Sequence, residues 1–165
     1  MSLNLQTDSN YLENAYRYVL VAELIRKGNQ LNFPRFDILF SETPDEGYDI
    51  VLGCNGKYRF IELKADYGRK RKANVKVSMN LMNRPNGCVV WVLVDPTDLT
   101  ITNYMFWGAD FGLTVPSMIG FNTAKHTKAN KDGIKNLRSN IKKIPKSAFT
   151  MMPDLESLIR KLFAI

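Results

Sequence analysis

A single α/β domain, with a mixed β-sheet flanked by helices in the order αβββ(α)ββ…α, is the fold class this sequence predicts. Three observations carry it: a helix-period apolar stripe near the N-terminus, an Asn55-Gly56 turn between two strand-like runs, and a continuous β-branched run at 88–94. The chain has 165 residues, 45% of them hydrophobic, which supplies one core. No repeat or low-complexity linker divides 1–165, so one domain is expected.

The elements follow in order. Over 11–27, Leu12, Tyr16, Val19, Leu20, Glu23, Leu24 and Lys27 recur at helical spacing, with Ser9-Asn10 able to cap the start and Gly28 to stop the helix. Residues 33–40 read as a strand, which Pro34 assigns to a sheet edge. Residues 47–54 and 57–64 form two strands around Asn55-Gly56, the strongest short hairpin signal. Residues 66–74 are polar and basic, hence loop, and 75–82 fits helix or strand equally. The run 88–94 has the unbroken apolarity of a central strand buried on both faces. Asp95-Pro96-Thr97-Asp98 turns the chain, and 101–107 returns as a strand. The stretch 108–146 is rich in Gly, Asn and Lys with little hydrophobic period, so a basic, loop-rich segment is expected. A C-terminal helix over 153–163 puts Leu155, Leu158, Ile159, Leu162 and Phe163 on one stripe.

Composition narrows the function classes. The longest apolar run, 88–94, is far below the roughly 18 residues a membrane helix needs, so no membrane role is expected. No basic, then apolar, leader follows Met1, which favours a cytoplasmic location. Cys54 and Cys88 are too few for a disulfide framework. With His126 they still cannot complete a closed zinc site of Cys and His alone. The formal charge of +7 is unevenly laid out: residues 64–84 are net +6 and 120–146 net +7, while 1–63 and 85–119 are each net −3. Two basic blocks in one small domain favour a polyanion, since each neutralised phosphate releases counterions. For a single run such as Arg69-Lys70-Arg71-Lys72, a solvated loop is the competing reading.

The hairpin carries the chemistry. A two-residue turn at Asn55-Gly56 pairs Cys54 with Lys57 and, counted back, Asp49 with Glu62. Opposed side chains share a sheet face about 4.5–5.5 Å apart at Cβ, and Lys64, two residues on, joins that face. The other face collects Tyr48, Ile50, Leu52, Ile61 and Leu63, with Arg59 as the outlier among them. Like charges directly opposite destabilise a sheet, so Asp49 and Glu62 need compensation from Lys64 or from a divalent cation. Hard oxygen ligands suit Mg²⁺, which activates water and stabilises phosphoryl charge. A surface salt-bridge cluster on an exposed strand face is the alternative. A bulge in the hairpin would rotate one partner away.

Asp49 followed by Glu62-Leu63-Lys64 resembles the D…(D/E)-x-K motif of the PD-(D/E)XK nuclease superfamily, which includes restriction-endonuclease-like and Holliday-junction-resolvase-like domains. The order of elements is similar over about residues 11–107. The resemblance implies a restriction-endonuclease-like core and a nuclease acting on DNA more than RNA. It implies that Asp49, Glu62 and the Leu63 carbonyl hold Mg²⁺ (or Mn²⁺), and that Lys64 orients or activates the attacking water. The pattern departs in two places. Gly47-Tyr48, not Pro, precedes Asp49, with Pro44 further back. Arg17 stands eleven residues before Gly28, where many members carry a Glu on the first helix. Glu13, one turn earlier, is the candidate accessory acid, and an i,i+4 pair with Arg17 is its other reading.

The basic candidates for nucleic-acid contact are Arg69, Lys70, Arg71, Lys72, Lys76, Lys125, His126 and Lys128. No Ser or Cys motif accompanies His126, so it reads as a phosphate contact or exposed loop residue rather than part of a triad. The lysines of 125–143 fit no single helix face and read as a loop able to track a phosphate backbone. Trp91 reads as core. Tyr104, Phe106 and Trp107 fit core packing better than base stacking. Cleaving two strands would favour a homodimer, although no sequence feature marks an interface.

Overall fold

The computed structural model describes residues 9–43, 46–67, 72–126, 128, 131 and 133–165. Helix α1 (Ser9–Gln30) leads into β1 (Phe36–Phe40), β2 (Ile50–Cys54), β3 (Lys57–Tyr67) and β4 (Asn74–Ser78). A 3₁₀ turn (Met79–Asn83) precedes β5 (Gly87–Val94) and β6 (Ile101–Gly108). Strands β7 (Thr123–Lys125), β8 (Leu137–Pro145) and β9 (Thr150–Met152) follow, and α2 (Leu155–Phe163) ends the chain. A six-stranded sheet has the order β1-β2-β3-β5-β6-β9, and β4-β8-β7 form a second, three-stranded sheet. Among the described residues only β3 and β5 run parallel, so the large sheet is mixed. Among the described residues no helix is long and apolar enough to cross a membrane.

Three layers result. Leu20 and Leu24 of α1 and Leu158, Ile159, Leu162 and Phe163 of α2 pack on Ile50, Leu52, Ile61, Leu63, Val90 and Val92. On the other face Val75, Val77 and Ile144 of the small sheet cover Val89, Trp91, Met105 and Trp107. Both helices therefore lie on one side, and a sheet takes the place of a helical layer on the other. The connection from β3 to β5 carries β4 and the 3₁₀ turn instead of an α-helix. Burial of β5 on both faces agrees with its unbroken apolar run.

Several boundaries moved for identifiable reasons. Helix α1 passes Gly28 and ends at Gln30, with Asn32 in the left-handed region at φ 53°. Gly28 serves packing instead: a Cβ there would stand 2.6 Å from the Phe36 ring. The loop expected at 66–74 is shorter, because β3 runs to Tyr67 and β4 begins at Asn74. The basic segment 108–146, expected as loop, contains β7 and β8. Lys125, Lys142 and Lys143 lie on these strands and so show no helical period.

The hairpin turn is as expected, with Asn55 at φ 50° and Gly56 at φ 75°, the signs a type I′ turn requires. No atom lies within 4 Å of a Cβ added at Gly56. Gly56→Ala is therefore expected to cost only its left-handed strain, about 1 kcal/mol, read as a lower urea midpoint at unchanged slope.

Candidate functional site

Strands β2 and β3 pair in the expected register from Cys54↔Lys57 to Ile50↔Ile61. There they part. The Asp49 N–H donates to the Ile61 carbonyl at 2.8 Å, and the Asp49 carbonyl accepts from Ser41 N–H at 2.9 Å. Asp49 thus meets Ile61 and not Glu62, which corrects the direct cross-strand pairing of the two acids. The cause is the Asp49 carboxylate itself: Oδ2 accepts from Leu63 N–H at 2.7 Å, replacing a backbone carbonyl of the ladder. The same slip draws Tyr48 away from the helix-side face to pack under the small sheet, edge to face with Phe60 at 5.0 Å.

The slip leaves the acids in one neighbourhood. Glu62 is buried and ion-pairs with Lys64. Arg17 Nη2 stands 3.6 Å from Asp49 Oδ1, so Arg17 pairs with Asp49 and the helical pair with Glu13 does not account for it. Glu13 is exposed and still acts electrostatically on Glu62, Lys64 and Tyr16. Glu13, Arg17, Tyr18, Phe40, Tyr48 and Asp49 line an open cleft of about 800 Å³. No three His, Cys, Asp or Glu side chains are gathered to hold a metal among the described residues. A Mg²⁺ ion here would rest on two carboxylates and the Leu63 carbonyl, with water completing its shell.

Burial raises the Glu62 carboxyl, and nearby Asp49 and Glu13 raise it further against the pull of Lys64. Burial works against the Lys64 ammonium, but the charge and hydrogen bond of Glu62, with Asp49 and Glu13, outweigh it and raise Lys64. A carboxyl raised on folding stabilises the fold fully below the ordinary Glu value of about 4.3. That contribution is lost as pH rises through the higher folded value. Glu62→Gln is thus expected to remove a fall in unfolding free energy that wild type shows above about pH 4.3. Urea denaturation across that window checks it; equal slopes for the two proteins would place the titration elsewhere. The Lys64 contribution is lost only above the ordinary lysine range near 10.4, outside this window.

Of the basic candidates, Arg69, Lys70 and Arg71 lie outside the described residues. Lys72 is committed internally: its N–H donates to Asp66 Oδ2 at 2.9 Å and its ammonium to the Ala65 carbonyl at 3.0 Å. Lys76 is exposed on β4, Lys125 on β7, and His126 and Lys128 beyond it. The three strands of the small sheet hold five basic residues, namely Lys76, Lys125, Arg138, Lys142 and Lys143, and no acid. Lys76 lies directly opposite Lys143, a like-charge pairing that favours an anion between them. The alternation Val75-Lys76-Val77 resolves the open helix-or-strand choice for this stretch to strand β4, while Lys125, Lys142 and Lys143, expected in a loop, lie on β7 and β8. Tyr104, Phe106 and Trp107 are buried in the two cores, so they offer no stacking surface.

Comparison with known protein families and with curated proteins finds no match. Asp49 and Glu13 stand at the cleft, and Glu62 and Lys64 lie on β3.

Proposed function

We propose that this chain is a Mg²⁺- or Mn²⁺-dependent, restriction-endonuclease-like domain of the PD-(D/E)XK type that hydrolyses phosphodiester bonds, with DNA favoured over RNA. The observation that carries the reading is the Asp49–Leu63 hydrogen bond, which anchors one acid of the motif against the strand bearing Glu62 and Lys64. Asp49 and Glu62 would hold the metal through hard oxygens, joined by the Leu63 carbonyl. A bound metal would acidify a water and stabilise phosphoryl charge. Lys64, whose ammonium form its acidic neighbours favour, would orient a water at the site instead of taking its proton. The acid-free basic sheet holds the phosphate backbone, a contact that positions without reading sequence. The domain would act in the cytoplasm, and a homodimer would bring two such sites to a duplex.

A second reading, a nucleic-acid-binding module without turnover, is favoured by Arg17. Its guanidinium already sits against Asp49, supplying positive charge where a metal would. Plasmid and single-stranded DNA, incubated with Mg²⁺ or with chelator, separate the two. Metal-dependent cleavage lost in Asp49→Asn supports the nuclease. Salt-sensitive binding with no cleavage of any substrate selects the module, and no binding at low salt rejects both.

A further inference from the structure

We propose that Arg17 gates the metal site: its guanidinium occupies the oxygen of Asp49 that a metal needs until a phosphate in the cleft takes it, so that divalent cation and phosphodiester bind in mutual support. The inference rests on the nuclease reading above, in taking Asp49 and Glu62 to hold the metal. Both oxygens of Asp49 are engaged. Oδ2 accepts from Leu63 N–H at 2.7 Å, a bond made within the fold, which leaves Oδ1 for an ion. Arg17 Nη2 stands 3.6 Å from that Oδ1. Glu62 is likewise paired, with Lys64. Arg17 therefore has to leave before Oδ1 can join a metal's shell. The pair is built to let it go. At 3.6 Å it is longer than a hydrogen bond. Its two side chains are 18% and 21% exposed, so salt and water weaken it.

The guanidinium also has somewhere to go. It lies over the Phe40 ring at 5.9 Å, and Tyr18 packs edge to face on that ring at 5.3 Å, so an aromatic support holds it at the cleft once Asp49 is released. A guanidinium carries five donors in a planar fork, a shape that takes two phosphate oxygens at once. Among the described residues Glu13, Glu42 and Asp49 line the cleft, with Arg17 as its one base. That balance draws a cation and repels a lone phosphate. Each ligand thus removes what opposes the other. A cation answers the acids that repel the phosphate, and Oδ1 is open to a cation once the guanidinium has turned to a phosphate. Such coupling is reciprocal: the factor by which phosphate raises cation affinity is the factor by which cation raises phosphate affinity.

The test reads metal binding and not cleavage. Mn²⁺ is titrated into the full chain, alone and with dimethyl phosphate, and the free ion is followed by electron paramagnetic resonance. Arg17→Gln is expected to tighten binding of Mn²⁺ alone by about five- to tenfold. Arg26→Gln, the same change of charge at an exposed site further along α1, should leave it unmoved, because salt screens that distance. Dimethyl phosphate should tighten Mn²⁺ binding by about fivefold in wild type and by a smaller factor in Arg17→Gln. Asp49→Asn should remove the binding with or without the diester. Equal Mn²⁺ affinity in wild type and Arg17→Gln, with binding lost in Asp49→Asn, overturns the gate and leaves the metal site standing. Equal tightening in Arg26→Gln would reduce the effect to net charge and overturn the gate as well. Equal help from dimethyl phosphate in wild type and Arg17→Gln overturns the exchange of Arg17 between Asp49 and phosphate. Mn²⁺ binding absent from both proteins, or indifferent to Asp49→Asn, overturns the nuclease reading and the gate together.

Discussion

Asp49→Asn is expected to cut metal-dependent phosphodiester cleavage by at least about a hundredfold while the chain stays folded. The side chain performs two jobs that this variant separates. Its Oδ2 accepts from Leu63 N–H at 2.7 Å, and an asparagine carbonyl oxygen can accept the same bond. Its charge faces Arg17 at 3.6 Å, and that pair is only partly buried, so losing it should change stability by no more than about 1 kcal/mol. Asp49→Ala removes the acceptor as well and leaves the Leu63 N–H without a partner, at a further cost of about 1–3 kcal/mol. Mg²⁺ should raise the melting temperature of wild type, because a ligand that binds only the folded state stabilises it, and should do so less in Asp49→Asn. Cleavage by Asp49→Asn at the wild-type rate would remove Asp49 from the metal site. Loss of cleavage in Asp49→Ala alone would mean that the bond to Leu63, and not the charge, is what matters.

The parts of the fold legible in the sequence are those that one strong local rule decides. Asn55-Gly56 fixes the hairpin register because few other residue pairs take positive φ twice at low cost. The run ending at Val94 could only be a strand covered on both sides. Asp154 caps α2 through a 2.7 Å bond to Ser157 N–H, and its apolar stripe meets the sheet. What stayed hidden was settled by competition between alternatives of similar energy. At Asp49 a side-chain carboxylate displaced one ladder bond, and the slip of one residue followed from that single contact. Alternation alone would have carried the pairing on to Glu62. Strands β7 and β8 bury few side chains, Ala124 and Ile144 among them, so no apolar period announces them. Gly28 reads as a helix stop from sequence, yet its function is to admit Phe36, a neighbour only the tertiary fold supplies.

Arg59→Ala is expected to lower the unfolding free energy by about 3–5 kcal/mol, the largest stability effect of the substitutions considered. Arg59 shares the helix-side face of the hairpin with Lys57, and it is fully buried. Its guanidinium donates to the carbonyls of Leu162 at 2.7 Å, Ala109 at 3.0 Å, Asn86 at 3.2 Å and Lys161 at 3.5 Å. Lys161 and Leu162 are in the last turn of α2, whose carbonyls have no helical partners and carry the negative end of the helix dipole. Asn86 precedes β5 and Ala109 follows β6, so one fork ties the helix end to two strand ends. Phe106 and Phe111 flank the guanidinium at 5.6 and 5.5 Å. Burial lowers its affinity for the proton, but an arginine stays charged, and the carbonyls answer that charge. Truncation leaves these acceptors without their donor and opens a void against Phe106. Arg59→Lys keeps the charge but lacks the planar fork that reaches acceptors on three segments, so it should recover only part of the loss. Urea denaturation of the three proteins measures the order wild type, Lys, Ala. A loss below about 1 kcal/mol in Arg59→Ala would mean that apolar packing of Leu162 and Phe163 alone seats α2, and that the buried guanidinium adds no more than a surface contact would.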